Sequence, residues 1–354
     1  MNVTAIQTPR RTSRVLAGSG LIFSGVLVVC MAVVPPLIGG YLVQALTSYL
    51  IFGLLALAVG LITGYGRLFN LGVGANFGIG AYTVAILSHQ GVTNPFVLLG
   101  AALLAGLLVS LLFAFYALIA SGIEYLMLTF LTTLAFATVP LTAVDLTGAD
   151  NGLTVTGGLK VSFGLSPLTG NGFYWLVLAV VVACTGLSWF VLASQTGKAI
   201  QAIGRNPARA AAMGYSVARY RVALTVYASV VATLGGWLYS LLRSFVFTDL
   251  LGLAYSTNGL VFALIGGVDS ILGPFVGAAV LGALTDQLSR GSTQSSLYIG
   301  IVLMLVVYFA PDGMVGLWRR AQSRWRSARR GRPLAGDTSD AVATGLAAEN
   351  VEAL

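Results

Sequence analysis

Charge is scarce in this chain of 354 residues: only 8% are Asp, Glu, Lys or Arg, whereas 57% are hydrophobic and the mean hydropathy is +0.90. Soluble domains carry roughly one-quarter charged residues, so the composition excludes an ordinary water-soluble protein. Apolar runs of about 20 residues, long enough to cross a bilayer, recur as far as residue 312. Because lipid cannot satisfy free backbone polar groups, such runs must be helical. The sequence predicts an all-α, polytopic membrane protein with about 8 to 10 transmembrane helices and broken or re-entrant glycine-rich segments.

Reactive side chains are also few. The chain has one histidine, His89, and two cysteines, Cys30 and Cys184, which fall in separate apolar runs. This excludes a paired-histidine metal motif and a Ser-His-Asp triad, and it favours a buried apolar role for the cysteines over a disulfide. Gly197-Lys198 is followed by alanine and lacks the upstream glycine of a phosphate-binding loop. We therefore expect no catalytic residue, no metal and no cofactor bound by this chain.

The basic residues indicate topology. If the chain crosses the membrane ten times, 16 of its 19 Lys and Arg residues lie on one side, and only Lys160, Arg243 and Arg290 lie on the other. Cationic loops stay cytoplasmic, so both termini are predicted to be cytoplasmic. The net charge of +8 is then explained mostly by the topology and requires no nucleic acid. We expect the basic tail to lie beside membrane lipid. The predicted spans are 15–39, 41–63, 77–90, 95–120, 123–145, 173–193, 217–242, 250–268, 271–289 and 295–312.

These spans divide the chain into three parts. A basic cytoplasmic N-terminus covers residues 1–14, a transmembrane domain covers 15–316, and a basic, then disordered cytoplasmic tail covers 317–354. The third and ninth spans are short or interrupted by glycine, and without them the count falls to eight or nine. The longest outside segment, about 146–172, is rich in Gly, Thr and Ser. We expect it to receive a solute-delivering protein, to pack over the channel mouth, or both.

A basic, alanine-rich segment with no acidic residue, GKAIQAIGRNPARAAAMGYSVARYR, occupies residues 197–221. Asn206 followed by Pro207 is a typical helix start, and Gly214 suits a left-handed helix end. Upstream, residues 198–203 closed by Gly204 predict another short helix. A cytoplasmic helix-turn-helix is therefore expected at about 194–216. Alanines on its exposed face would allow close approach by a partner protein, and its arginines would meet acidic residues there; the alternative is an ordinary positive-inside loop that happens to be helical.

Glycines interrupt the apolar pattern after the second span. Non-helical backbone at membrane depth is tolerated only where protein or water covers it, and broken helices often line transport sites. We expect a helix break beside a translocation path here; close packing through small residues is the alternative for the glycines. A second break, from Gly266-Gly267 to Gly273-Pro274, is a possible counterpart in the later half. The candidate path residues are Asn70, Gly72, Asn76, Gly78, Gly80, Gly266 and Gly267.

Acidic residues are almost absent from the middle of the predicted spans. Glu124, Asp249, Asp286 and Arg290 fall near span ends, and Asp269 is expected at the cytoplasmic surface. Placement at the interface is therefore expected for these charges rather than a proton relay. This distribution argues against proton-driven transport.

Several segments carry a family resemblance. The stretch AIGRNPARAAAMGYSVARYR resembles the cytoplasmic coupling loop of the membrane subunits of ABC importers, in particular the LivM-type permeases of branched-chain amino acid importers. The resemblance covers roughly residues 40–317 and continues in the family's order through LGVGANFGIGAYT (71–83), TLAFA (133–137), LTGADNGLTVTG (146–157), FALIGGVDSILGPFVGAAVLG (262–282) and YFAPDGMVGL (308–317).

The resemblance implies a function and a set of partners. It implies a multi-pass permease subunit of the bacterial inner membrane that pairs with a second, LivH-like permease subunit, with two cytoplasmic ATPase subunits that bind ATP-Mg, and with an extracytoplasmic solute-binding protein. Branched-chain amino acids are the family's cargo. A self-sufficient secondary transporter and a passive channel for urea or an amide are the alternatives. The residues assigned to ATPase coupling are Lys198, Arg205, Asn206, Pro207, Arg209, Ala210, Ala211 and Gly214.

The chain departs from the family's pattern at two places. Near Ala211 and Ala212 the family's coupling loop usually has a glutamate, so docking here is expected to depend on arginines and shape. The family usually has serine, histidine and phenylalanine where this chain has Asn70, Val73 and Asn76. If these positions touch solute, the preferred cargo differs from that of the family.

Overall fold

The structure is a computed structural model that describes residues 39–92, 94–155, 171–291, 300, 313, 314 and 316. Its α-helices are α1 (Gly40–Gly60), α2 (Val73–His89), α3 (Pro95–Ile119), α4 (Ile123–Thr142), α5 (Val144–Thr147), α6 (Asn171–Ala193), α7 (Gln195–Arg205), α8 (Pro207–Ala212), α9 (Val217–Arg243), α10 (Leu253–Gly266) and α11 (Gly273–Gly291). A π-helical turn, Leu61–Tyr65, extends α1, and short 3-10 turns lie at Ala149–Asn151 and Thr248–Leu251.

Five of the described helices are long and apolar enough to cross a membrane, namely Gly40–Tyr65, Pro95–Ile119, Ile123–Thr142, Gly172–Ala193 and Val217–Arg243. They confirm the predicted all-α, polytopic class. The 14-residue α10 is apolar but shorter, and at 1.5 Å per residue it spans only about 21 Å. The first and last predicted spans, 15–39 and 295–312, lie almost wholly outside the described residues.

Two helices form the centre of the bundle. The buried share of the most apolar part of each helix is 78% for α1 with its π turn and 67% for α9, whereas it is 22% for α4. The central helices pack against α2, α3, α10 and α11, whereas α3, α4 and α6 keep one face uncovered, as helices next to lipid do. Small residues allow the close packing: Thr233 of α9 lies between Gly80 of α2 and Gly106 of α3.

The observed helix ends differ from the predicted spans where glycine and turn residues were misread. The third span, predicted at 77–90, begins four residues earlier, at Val73, because Gly74, Gly78 and Gly80 are accommodated inside α2. The eighth, predicted at 250–268, is a 3-10 turn followed by α10. Pro274, at the end of the predicted second break, is the second residue of α11.

The segment after α4 folds back onto the connection between α9 and α10. Strand β1 (Leu153–Thr154) pairs antiparallel with β2 (Phe245–Val246). Thr248 adds a hydrogen bond from its hydroxyl to the carbonyl of Ala149, at 3.1 Å. The beginning of the predicted outer loop therefore packs over one end of the bundle. Residues 156–170 lie outside the described part of the chain, and both expected roles of the loop stay predictions.

Candidate translocation and coupling sites

The first helix break runs from one end of the bundle to the middle of its longest helix, α9. Asn76 of α2 donates from its amide to the Ser229 hydroxyl at 3.2 Å, and Gly80 lies against Thr233, so α2 runs beside the later part of α9. Ser229 lies near the midpoint of the 27-residue α9, which is about 40 Å long. Thus α2 begins roughly halfway along α9, and the non-helical residues 66–72 that precede it sit beside the first half.

Hydroxyl groups of α4 satisfy the backbone of this break. Thr129 accepts a hydrogen bond from the Leu71 amide at 3.3 Å, and Thr133 donates to the Leu71 carbonyl at 3.0 Å. Both threonines are fully buried. Since an unpaired buried peptide group is costly, these two side chains explain how the chain can leave the helix here.

Both the oxygen and the nitrogen of the Asn70 side-chain amide make hydrogen bonds within the protein. Its Oδ1 accepts from the Gly72 amide at 2.6 Å, and its Nδ2 donates to the Tyr125 hydroxyl at 2.8 Å. The side chain is buried, with 4% of its surface exposed. In this conformation Asn70 holds the break against α4, and its role in the path remains a prediction.

Asn76 differs from Asn70 in one respect. Its Nδ2 donates to the Gly72 carbonyl at 3.3 Å as well as to Ser229, but its Oδ1 has no hydrogen-bond partner among the described residues. The residue is completely buried. A buried acceptor without a donor is unfavourable, and the role of Asn76 in the path remains a prediction.

The candidate path glycines in α2 and directly before it are packing positions in this structure. A Cβ at Gly78 would lie 2.5 Å from the Leu250 carbonyl oxygen, and one at Gly80 would lie 2.5 Å from that of Thr233. A Cβ at Gly72 would overlap the Phe113 ring. These contacts favour the small-residue packing interpretation at all three positions.

The second break is a tight turn between α10 and α11. Gly267 has φ +108°, a conformation that favours glycine, and a Cβ at Gly266 would overlap the Gly273 carbonyl. The Ser270 hydroxyl accepts from the Gly273 amide at 2.7 Å and closes the turn. Gly266 and Gly267 are therefore required by the turn itself.

The predicted helix-turn-helix is present as α7 and α8. The Asn206 side chain accepts from the Arg209 amide at 2.9 Å, Pro207 is the first residue of α8, and Gly214 has φ +88°. These features confirm the predicted start and end of the second helix. The prediction that Gly204 closes the first helix is wrong, because α7 ends at Arg205. Asn206, which follows, has the extended backbone that is favoured before a proline.

One face of α7 anchors the pair to the bundle while α8 stands out. Ala199, Ile200 and Ile203 of α7 are buried. In α8, Ala210 is only 1% exposed, so it belongs to the packed side and not to the exposed alanine face that the sequence suggested. The coupling residues Lys198, Arg205, Asn206, Pro207, Arg209, Ala211 and Gly214 are exposed.

Sequence reasoning missed two exposed residues beside α8. Met213 is 61% exposed and Tyr215 is 42% exposed, although both are large and apolar. They directly follow α8, outside the predicted spans. The available signal was their position: large apolar residues in a polar loop commonly anchor a protein partner.

The bundle, the first helix break and the projecting helix pair define a multi-pass membrane permease. Residues 41–311 match the family model described as branched-chain amino acid transport system / permease component, and the chain belongs to this family. It is 26% identical over 307 residues to the high-affinity branched-chain amino acid transport system permease protein LivM of Salmonella typhimurium and to that of Escherichia coli. Each match covers 78% of this chain and 70% of the relative, and no solved structure matches the chain.

Proposed function

We propose that this chain is one of two membrane-spanning subunits of an ABC importer in the bacterial inner membrane, with both termini in the cytoplasm. The observation that carries the proposal is the capped, exposed helix α8, supported from below by the buried face of α7, in a member of this permease family. The chain performs no chemistry itself. It forms half of a gated path, and a second, LivH-like permease subunit forms the other half.

The motor in this proposal is external. Two cytoplasmic ATPase subunits bind ATP-Mg and dock on α8, with Arg205, Arg209, Met213 and Tyr215 facing them. Their closure drives transport only if the ATP-bound form fits one arrangement of the permease better than the other. Helix α8 leads through a four-residue turn into α9, which contacts the break through Ser229. Movement of the helix pair would therefore reach the first helix break through α9.

Branched-chain amino acids are the proposed cargo, delivered to the outer face by an extracytoplasmic binding protein. The names of both relatives support this class. Asn70 and Asn76 stand where the family usually has other residues, so a small amide or urea is the alternative cargo. Mass spectrometry of the solute that co-purifies with the matching binding protein distinguishes the two.

The experiment that tests the function is reconstitution of the chain with its second permease subunit and ATPase subunits in vesicles, with uptake of radiolabelled leucine measured with and without ATP. We expect uptake to require ATP and the ATPase subunits to remain bound during purification in mild detergent. Uptake that ignores ATP and follows an ion gradient would instead support a secondary transporter. Downhill flux that needs neither would support a channel.

A further inference from the structure

The two helix breaks, about 200 residues apart in sequence, meet in space. Arg67 Nη2 lies 3.2 Å from Asp269 Oδ1, and the Tyr65 hydroxyl donates to the Asp269 carbonyl at 3.4 Å. A Cβ at Gly64 would overlap the Val268 carbonyl, so the end of the π turn also contacts the second break through its backbone. The break after α1 and the turn between α10 and α11 are therefore joined at one end of the bundle.

The side chains of this ion pair are open to solvent, 55% exposed for Arg67 and 69% for Asp269. Exposed ion pairs contribute little to stability, because water and salt screen them. Arg67 nevertheless has φ +53°, a left-handed conformation that is uncommon outside glycine, so the surrounding contacts hold it in place. A weak contact at a constrained residue can open and close without unfolding the bundle.

The same segment touches the helix pair on its other side. A Cβ at Gly204 of α7 would lie 2.7 Å from the Tyr65 carbonyl oxygen and 3.2 Å from Arg67 Cγ. Residues 65–67 are thus held between α7 and the loop that contains Asp269. Any displacement of α7 must either move this segment or lose the contact at Gly204.

We propose that Arg67 and Asp269 form a latch that ties the two breaks together, and that α7 opens and closes it through Gly204. The proposal rests on the function above, because an ATPase that docks on the helix pair supplies the displacement. Arg67, Asp269 and Gly204 are positioning residues in it and need not touch solute. Opening the latch removes the charged tie between the breaks and leaves the α10–α11 turn joined to the first break by the Tyr65 hydrogen bond and the Gly64–Val268 contact. The turn can then shift without separating from the bundle, which changes access at this end of the path.

A thiol-accessibility experiment tests the latch without solute. Ser270, next to Asp269, is 7% exposed, and Ser270→Cys is introduced into the purified full chain after Cys30 and Cys184 are replaced by alanine. Because this change weakens the bond to the Gly273 amide that closes the turn, the Ser270→Cys chain is the parent with which every rate is compared. We expect Arg67→Glu or Asp269→Arg alone to raise the rate of modification by a membrane-impermeant maleimide by up to about fivefold, the upper end for an exposed ion pair. The double variant Arg67→Glu/Asp269→Arg should return the rate towards that of the parent. Equal rates in the single and double variants would overturn the latch.

A second arm tests the link to α7 in the complex with the ATPase subunits. ATP should change the modification rate of Ser270→Cys, and Gly204→Ala should abolish that change because the added methyl group meets backbone. Gly186→Ala is the matched control, since a Cβ there meets nothing within 4 Å. A normal ATP response in Gly204→Ala would exclude this route. Failure of ATPase subunits to bind at all would refute the proposed function, while the charge-reversal arm would still decide the latch.

Discussion

Replacing Gly80 with alanine should destabilise the protein, because the backbones of α2 and α9 approach closely at this position. The new Cβ would lie 2.5 Å from the Thr233 carbonyl oxygen and 3.1 Å from Thr233 Cγ2. A carbonyl oxygen within a helix cannot swing away as a flexible side chain can. The two helices must separate, and Gly106 of α3, which packs on the same threonine, loses contact as well.

The magnitude follows from two opposing effects. Overpacking a well-filled interior costs about 1–3 kcal/mol, whereas alanine is favoured over glycine inside a helix by about 0.5–1 kcal/mol. We expect a net loss of up to about 2.5 kcal/mol in the free energy of unfolding. Gly100→Ala in α3 is the matched control, because a Cβ there meets nothing within 4 Å, and this variant should be as stable as the parent or slightly more stable.

Cys184 provides the assay. Its thiol is buried, with 7% of the residue exposed, so a maleimide fluorophore labels it only when the bundle opens on heating in detergent; Cys30 is replaced by alanine beforehand. Gly80→Ala should show a lower midpoint temperature than the parent, and Gly100→Ala should not. Identical midpoints for the two variants, with uptake altered only in Gly80→Ala, would show that Gly80 borders open space and that the packing argument is wrong.

Three further predictions concern the break and the helix pair. Asn206→Ala should lose the bond to the Arg209 amide, about 1 kcal/mol of helix stability, and should reduce ATPase co-purification, whereas Asn206→Asp should retain it. Tyr215→Ala should weaken ATPase binding in a pull-down without changing the melting temperature of the isolated chain, because its side chain is exposed; a normal pull-down would remove it from the docking surface. Asn70→Ala should leave the Tyr125 hydroxyl without its amide donor and lower the melting midpoint by the equivalent of about 1–3 kcal/mol, and an unchanged midpoint would mean that the break does not need this amide.

The local features of the helix pair were readable in the sequence because their causes are local. The asparagine starts a helix through its side chain, and the proline that follows it has a φ angle already suited to the helix. A glycine ends a helix through its left-handed backbone. Asn206, Pro207 and Gly214 occupy these positions in the structure. The wrong prediction at Gly204 has a non-local cause. This glycine allows close contact with Tyr65, which is far away in the chain, and it does not end the helix.

The break was predicted from its glycines, but its support was not. Thr129 and Thr133 are ordinary residues of an apolar helix in sequence, and no spacing rule links them to Leu71. The structure brings their hydroxyls to the Leu71 backbone. The exposure of α8 was similarly only partly predictable. Its six residues point in directions all around the helix, and only packing against the bundle decides that Ala210 is buried while Ala211 is not.

The sequence by itself determined the membrane environment, the helical class and the capped helix pair, because apolar length and helix caps act over a few neighbouring residues. Only the tertiary structure decided which glycines pack against backbone, which threonines satisfy the break, and that Arg67 meets Asp269. These contacts join residues far apart in the chain, and their energies depend on how α1, α2, α4, α9 and α10 are arranged around one another. Local sequence cannot specify such distances, since they exist only once the helices have packed.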